Sequence, residues 1–368
     1  MDVSLPYYLG LSHFLGIGPI KFNALLKSFD VKTAYELPES ELTRIVGPQT
    51  SKKFVEFRSK FEPLKKLEEL RGKNIDVISR DDLRYPNQLA ELTDAPICLY
   101  LKGDPSLLCR EGLFNFAVVG TRKASQYGLK TTREIVEEFY RRNSDTCIVS
   151  GLAYAVDAVA HETALEMGGT TVAFLGCGVD IVYPYGNKRL YDRIIAQGGA
   201  VVSEFPPGQT VVPGLFIARN RLISGLSQGV LVVEGSKTSG ALITARYAAE
   251  QGKDVFALPG QINSSTSEAP HILIKEGAII VTSVSDICDY YGFGIGLPKK
   301  DGPGVELSGQ GLELYRFLDA SPRLLDEIVN ELKLPAQKVL TVLSSLEMDG
   351  VIERRLDERY GAKAVHRV

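Results

Sequence analysis

FAVVGTRKASQYGLKTTREIVEEFYRR, residues 116–142, carries the reading of the fold. It opens as a continuous apolar run, breaks at Gly120, crosses a polar loop and continues as an amphipathic helix from about Leu129. A strand that is apolar at successive positions is covered on both faces, the condition of a parallel sheet flanked by helices. A strand that runs through glycine into a helix start is also an anion-binding arrangement. Backbone N–H groups and the helix dipole point at whatever lies there. Gly120, Thr121, Arg122 and Ser125 sit in this loop. Arg122 offers a planar pair of donors, and Ser125 is either a helix cap or a phosphate donor. The plainer reading makes Ser125 only a cap and Arg122 only half of a surface ion pair.

Outward from this segment the pattern repeats. CIVSG (147–151), TVAFLG (171–176), AVVSEF (200–205), GVLVVEG (229–235) and DVFALPG (254–260) are strand-like, and helix-like stretches such as SGALITARYAAEQG separate them. Repeated β-α units predict an α/β fold, an extended Rossmann-like parallel sheet over about residues 73–290. Its ligand crevice is expected where the strands end. Residues 1–72 read as short helices around Gly16–Pro19 and Gly47–Pro48, which resembles a SAM-like or tandem helix-hairpin-helix module. Residues 291–310, rich in Gly and with two prolines, read as a linker. Residues 311–368 read as three helices and a hairpin and resemble a winged-helix domain. Its expected recognition helix, 335–348, carries only Lys338 as a base. That favours a protein-contact or regulatory role over reading of a DNA groove, which needs several donors.

Further candidate residues lie at other strand ends. CIVSG ends at Gly151, and the helix after it carries Asp157 and His161 on one face. No second histidine follows to make HExxH, so the pair reads as a buried structural hydrogen bond. GLSQG (225–229) precedes a strand, where a nucleophile elbow must follow one. GSKTSG (235–240) does not have P-loop spacing, but it places Lys237 at a third helix start. LGCGVD lacks the third glycine of a dinucleotide fingerprint. Arg219, Asn220 and Arg221 cluster after a Pro/Gly-rich stretch, where they read equally as phosphate contacts in a loop or as structural arginines. Lys188 and Arg189 sit beside Tyr183, Tyr185 and Tyr191, an interleaving of cation and ring that suits single-stranded nucleic acid.

Composition sets limits. The chain has 368 residues and a formal charge of −3, so any polyanion must bind a local patch. Five scattered cysteines form no CxxC pair, and no disulfide framework or metal site is read. No signal peptide or membrane span is read either, so a cytoplasmic protein is expected. No cofactor and no catalytic constellation emerges.

Taken in order, VVGTRKASQYG, IVSGLAYAVDAVAHETAL, GCGVDIVYPYGNKRL, SEFPPG and RNRLISGLSQGVLVVEGSKTSGALITARYAAEQGKDVFALPG closely resemble the DNA-processing protein A (DprA, or Smf) family over about residues 75–290. The resemblance implies a non-enzymatic, single-stranded DNA-binding recombination mediator. It implies a protein that acts in natural transformation, protects incoming DNA, loads the RecA recombinase and dimerises through its core. It implies phosphate held by Gly120, Arg122 and Ser125, with the basic residues of YPYGNKRL, the RNR segment and Lys237 extending the groove. The chain departs from the family pattern at Ala155, where glycine is usual, at Ile217, where proline is, and at Ala269 and His271. The competing reading is a nucleotide-cleaving enzyme similar to the LOG phosphoribohydrolases. Of their Pro-Gly-Gly loop the chain keeps Pro259-Gly260, and Glu204 and Glu234 are its candidate bases.

Overall fold

The computed structural model describes residues 4–293 and, beyond them, 314, 317–318, 323–332, 334–348, 352–354 and 359–362. The chain divides into two compact units, 1–293 and 294–368.

The first unit is built on a nine-stranded sheet. Its strands are β1 (Asp76–Ser79), β2 (Cys98–Gly103), β3 (Phe114–Val119), β4 (Thr146–Ser150), β5 (Thr170–Phe174), β6 (Ala200–Ser203), β7 (Gly229–Val232), β8 (Asp254–Ala257) and β9 (Ile279–Ile280). Their order is β1-β2-β6-β5-β4-β3-β7-β8-β9. From β6 to β9 every pairing is parallel, while β1 and β2 add an antiparallel edge. The run β5-β4-β3-β7-β8-β9 is the doubly wound order, and its direction of winding reverses between β3 and β7.

Helices cover both faces. Those of the first unit are α1 (Leu5–His13), α2 (Pro19–Leu26), α3 (Val31–Glu36), α4 (Glu39–Val46), α5 (Pro48–Arg58), α6 (Pro63–Gly72), α7 (Asn87–Ala90), α8 (Gln126–Arg142), α9 (Val156–Glu166), α10 (Lys188–Ala196), α11 (Pro213–Leu226), α12 (Gly240–Glu250), α13 (Glu268–Lys275) and α14 (Asp286–Tyr290). Alternate residues of β3 and β7 serve opposite layers. Val119, Val230 and Val232 pack with α11 and α12, while Phe116, Val118 and Leu231 pack with α8 and α9. Burial on both faces is why these strands lack polar alternation.

The head, α1–α6, contains a helix, a glycine turn and a helix twice, as α1–α2 and as α4–α5. Each second helix opens with proline in its first turn after a glycine cap, Gly18-Pro19 and Gly47-Pro48. Proline lacks an N–H where the helix has no acceptor for one. The head shares its core with the sheet. Cys98 and Tyr100 of β2 point into it, while Leu99 and Leu101 between them point into the sheet's main core. At this seam the Tyr100 hydroxyl lies 2.9 Å from Ser12 Oγ and 3.0 Å from His13 Nδ1.

In the second unit, α15 (Leu325–Leu332), α16 (Ala336–Met348) and the hairpin of β10 (Ile352–Arg354) with β11 (Tyr360–Ala362) surround a small core that includes Ile328, Leu343 and Ile352. Lys338 is exposed on α16. The linker reading begins too early, because Tyr291 and Phe293 pack against Phe114 in the first unit; its remainder, 294–310, and most of the expected first helix lie outside the described residues.

Burial keeps two histidines neutral. It pulls His13 down to about 4 and His161 down to about 3. Neither Nε2 has a hydrogen-bond partner among the described residues. An unfolded chain takes up these two protons below pH 6.5 and the folded chain refuses them, so stability falls as pH falls. Urea unfolding between pH 6.5 and 4.5 should show these two sites contributing a slope that approaches about 2.7 kcal/mol per pH unit. His161→Asn should remove about half of that contribution. An unchanged slope in this variant would show that His161 is protonated in the folded protein.

Candidate nucleic-acid interface

The C-terminal ends of β3, β4 and β7 open onto a cleft of about 600 Å³ at the reversal point, lined by Gly120, Arg122, Phe216, Asn220, Ser236 and Thr238 among others. The sequence-predicted loops after β3 and β7 therefore meet. Gly120 is demanded by packing, because a Cβ there would lie 2.5 Å from Val156 Cγ2. Gly151 is demanded likewise, since a Cβ there would lie 2.5 Å from an Arg219 guanidinium nitrogen.

Arg122, beside exposed Lys123, is an open cation of this cleft. Its side chain is exposed, its guanidinium lies 5.5 Å from the centre of the Phe216 ring, and no described carboxylate is within ion-pair distance. Stacking on an aromatic face holds a planar guanidinium without using its donors. Phe216 in turn packs on Tyr183 with 5.2 Å between ring centres. Thr121 is fixed through its backbone, which donates to Glu234 O at 2.8 Å. Lys237, exposed in the loop that leads to α12, is held through its backbone N–H by Glu268 at 3.1 Å. Ile217, 46% exposed, helps make the α11 wall apolar.

Several predicted site residues have other duties. Ser125 caps α8, and it also donates its N–H and its O–H, each at 2.7 Å, to the two oxygens of Glu234. The anion position at this helix N-terminus is filled by the chain's own carboxylate. The RNR segment is not a loop but lies inside α11, and a buried helix turns its arginines inward. Arg219 donates to the carbonyls of Gly151 and Phe174, at the ends of β4 and β5. Burial lowers Arg219 to about 10, with Asp157 opposing that shift, so it stays charged at neutral pH. Asn220 lines the cleft and donates to Gly240 O at 3.3 Å. Arg221 is held away from the cleft. It makes a two-pronged pair with Glu204, both contacts 2.8 Å, and a third to Asp94 at 2.7 Å. Lys188 pairs with Asp192 at 2.6 Å, and Arg189 is exposed on α10; neither lines the cleft.

Asp157 and His161 are both buried, but they do not pair. Asp157 accepts from the N–H groups of Gly151 and Ala153, at 3.1 and 3.3 Å. His161 Nδ1 meets Thr171 Oγ1 at 2.6 Å, and that hydroxyl donates to Ile148 O. Sequence reasoning missed Phe216 as the platform for Arg122. The signal was present, since positions 216, 219, 220 and 223 share one face of a helix. Of the departures, Ala269 and His271 do not line the cleft. Ala269 is in the core, and His271 Nε2 lies 3.0 Å from Gly260 O. Ala155 begins α9 with φ +65° and ψ −110°, a region that costs any residue with a Cβ.

An α/β protein with an open cationic cleft at its reversal point is the class this geometry defines. Family comparison narrows it. The model of DNA recombination-mediator protein A matches residues 76–292, and that of the DprA winged helix domain matches 298–356. The chain belongs to the DNA recombination-mediator protein A (DprA/Smf) family. It is 40% identical over 286 residues to the Escherichia coli protein Smf, covering 76% of this chain and 75% of that one. It is 43% identical over 209 residues to the DNA processing protein DprA of Streptococcus pneumoniae, covering 57% of this chain and 72% of the relative. Among solved structures, DNA processing protein A from S. pneumoniae superposes with a TM-score of 0.66 at 36% identity, covering 77% of this chain and 95% of that one. The Helicobacter pylori protein, whose structure describes a single-stranded DNA binding mode, gives a TM-score of 0.53 at 29% identity, covering 59% and 95%. Among the described residues no helix is long and apolar enough to cross a membrane, and no cluster of metal-binding side chains forms.

Two outcomes are expected for stability. Ala155→Gly should raise it by about 1 kcal/mol, seen as a higher denaturant midpoint at constant m. Arg221→Ala should cost about 3–5 kcal/mol by stranding buried Glu204. In the same unfolding assay Arg122→Ala is the control and should stay within about 0.5 kcal/mol of the parent.

Proposed function

We propose that this chain binds single-stranded DNA along the Arg122 cleft and serves as a recombination mediator. In that role it protects incoming DNA and passes it to the RecA recombinase during natural transformation. One observation carries the binding reading: an exposed guanidinium, stacked on Phe216 and with no counter-ion among the described residues, beside glycine and hydroxyl-bearing loops at the reversal of the sheet. Phosphates suit Arg122, Lys123 and the hydroxyls of Ser236 and Thr238. Bases suit the apolar wall of Phe216 and Ile217. The family supports the mediator role, and the H. pylori relative supports the choice of single strands. A homodimer through the Rossmann-like core, RecA as partner and a cytoplasmic site of action follow the same family reading. Within it the winged helix serves protein contact or regulation.

The internal bonding favours binding over nucleotide cleavage. Both candidate bases are engaged: Glu204 by Arg221, and Glu234 by Ser125 and by the Thr266 hydroxyl at 3.1 Å. His161 is fully buried.

Binding of an oligo-dT strand, followed by fluorescence anisotropy, tests the proposal. Arg122→Glu should weaken it by about 100-fold or more at ~0.1 M salt, whereas Arg122→Lys should lose less, about 5-fold. With Arg122, Lys123 and Lys237 as the neutralising cations, the slope of log K against log salt should be about −2. Unchanged affinity in Arg122→Glu would move the DNA elsewhere on the protein. Free base released from nucleoside monophosphates by the parent would favour the enzyme.

A further inference from the structure

The N-terminus of α8 is an anion site that already holds an anion. Glu234, just beyond β7, is 5% exposed, and no described lysine or arginine lies within ion-pair distance of it. One of its oxygens accepts from the N–H of Ser125, and the other accepts from the hydroxyls of Ser125 and Thr266. Its charge is thus balanced by oriented N–H and O–H groups and by the end of a 17-residue helix. The surroundings are shaped around it. A side chain at residue 128 would place Cβ 2.4 Å from Glu234 Oε2, so Gly128 leaves room for the carboxylate. A second cleft of about 700 Å³, lined by Ser125, Tyr127, Glu234, Gly260 and Ser264 among others, opens directly onto it. A small solute therefore reaches this position from solvent.

We infer that Glu234 is a built-in substitute for phosphate that closes the α8 N-terminus to inorganic phosphate and to the terminal phosphate of mononucleotides. A helix N-terminus with free N–H and O–H donors selects compact anions. With a carboxylate seated there, an incoming dianion meets a like charge and finds the donors taken. The loop 120–125 then has one closed side, at Ser125, and one open side, at Arg122. The open side is a cleft lined by Arg122, Lys123 and the Phe216 ring, which offers a phosphodiester both cations and an apolar face. The closed slot follows from the bonding of Glu234 alone. Only the preference for a polymer on the other side rests on the DNA-binding reading.

The test uses the full-length chain. Glu234→Ala empties the slot and Glu234→Gln fills it without charge. Thermal unfolding is followed with sodium phosphate up to about 10 mM against sodium chloride of equal ionic strength, and radiolabelled orthophosphate is measured by equilibrium dialysis. Glu234→Ala should gain saturable binding of one phosphate per chain and a melting temperature about 2–4 °C higher in phosphate. The parent and Glu234→Gln should gain neither. A Glu234→Ala protein without saturable phosphate binding overturns the inference. So does a parent or a Glu234→Gln protein that binds phosphate as well as Glu234→Ala does. If the alanine variant does not fold, Glu234→Ser is read the same way: folding restored by phosphate supports the slot, and no restoration overturns it. Oligo-dT binding by the parent is measured alongside. Its absence would defeat the DNA-binding reading and leave the phosphate result to stand by itself.

Discussion

One buried guanidinium holds the end of the sheet together. Arg219 reaches from the middle of α11 to the carbonyls at the ends of β4 and β5, near a buried carboxylate, Asp157. Strand ends leave carbonyls without partners, and burying them unpaired is costly. Arg219 satisfies two of them and draws α11 against the sheet. The same helix then presents Phe216 to Arg122. Asp157 holds the Gly151–Ala153 backbone, and Asn187 Nδ2 donates to Leu152 O at 2.9 Å, tying in the loop before α10. The walls of the cleft are fastened by groups that spend their donors and acceptors on the fold, even where, as with Arg219 and Asp157, they line it.

The sheet was legible because two-sided burial leaves an unambiguous trace. FAVV, CIV and VLVV have no polar position to mark a solvent face. The loop after β3 was legible because Gly120 ends an apolar run and opens a polar turn before a helix, the mark of a strand-to-helix junction. What could not be read was direction. Arg219 and Arg221 look like Arg122 in sequence, yet two are sealed in the core and one is open. Which way an arginine turns depends on partners distant in sequence: Gly151, Phe174, Glu204 and Asp94. Ser125 shows the same limit. Capping by its hydroxyl is a local property and was visible. Its engagement by Glu234, 109 residues away, was not.

The two acidic residues that invite a catalytic reading teach a related lesson. A carboxylate at a strand end is equally a base and a structural acceptor, and only the count of donors around it decides. Glu204 meets a guanidinium fork and Glu234 meets an amide and two hydroxyls. The net charge of −3 takes on meaning in the same way. Part of the cationic surface is cancelled locally, as at Lys188 with Asp192 and Arg141 with Glu137. Arg122 and Lys123 keep their charge in the cleft, with no described carboxylate to cancel either.

The strand β2 belongs to two cores at once, with Cys98 and Tyr100 on one side and Leu99 and Leu101 on the other. A strand shared in this way makes head and sheet a single cooperative transition rather than two beads on a string. Loosening α1–α6 bares one face of a strand that also closes the main sheet, so damage to either side is felt by both. The helical head is therefore not a detachable appendage. It is one wall of the fold, packed on an edge of the same sheet that ends at Arg122.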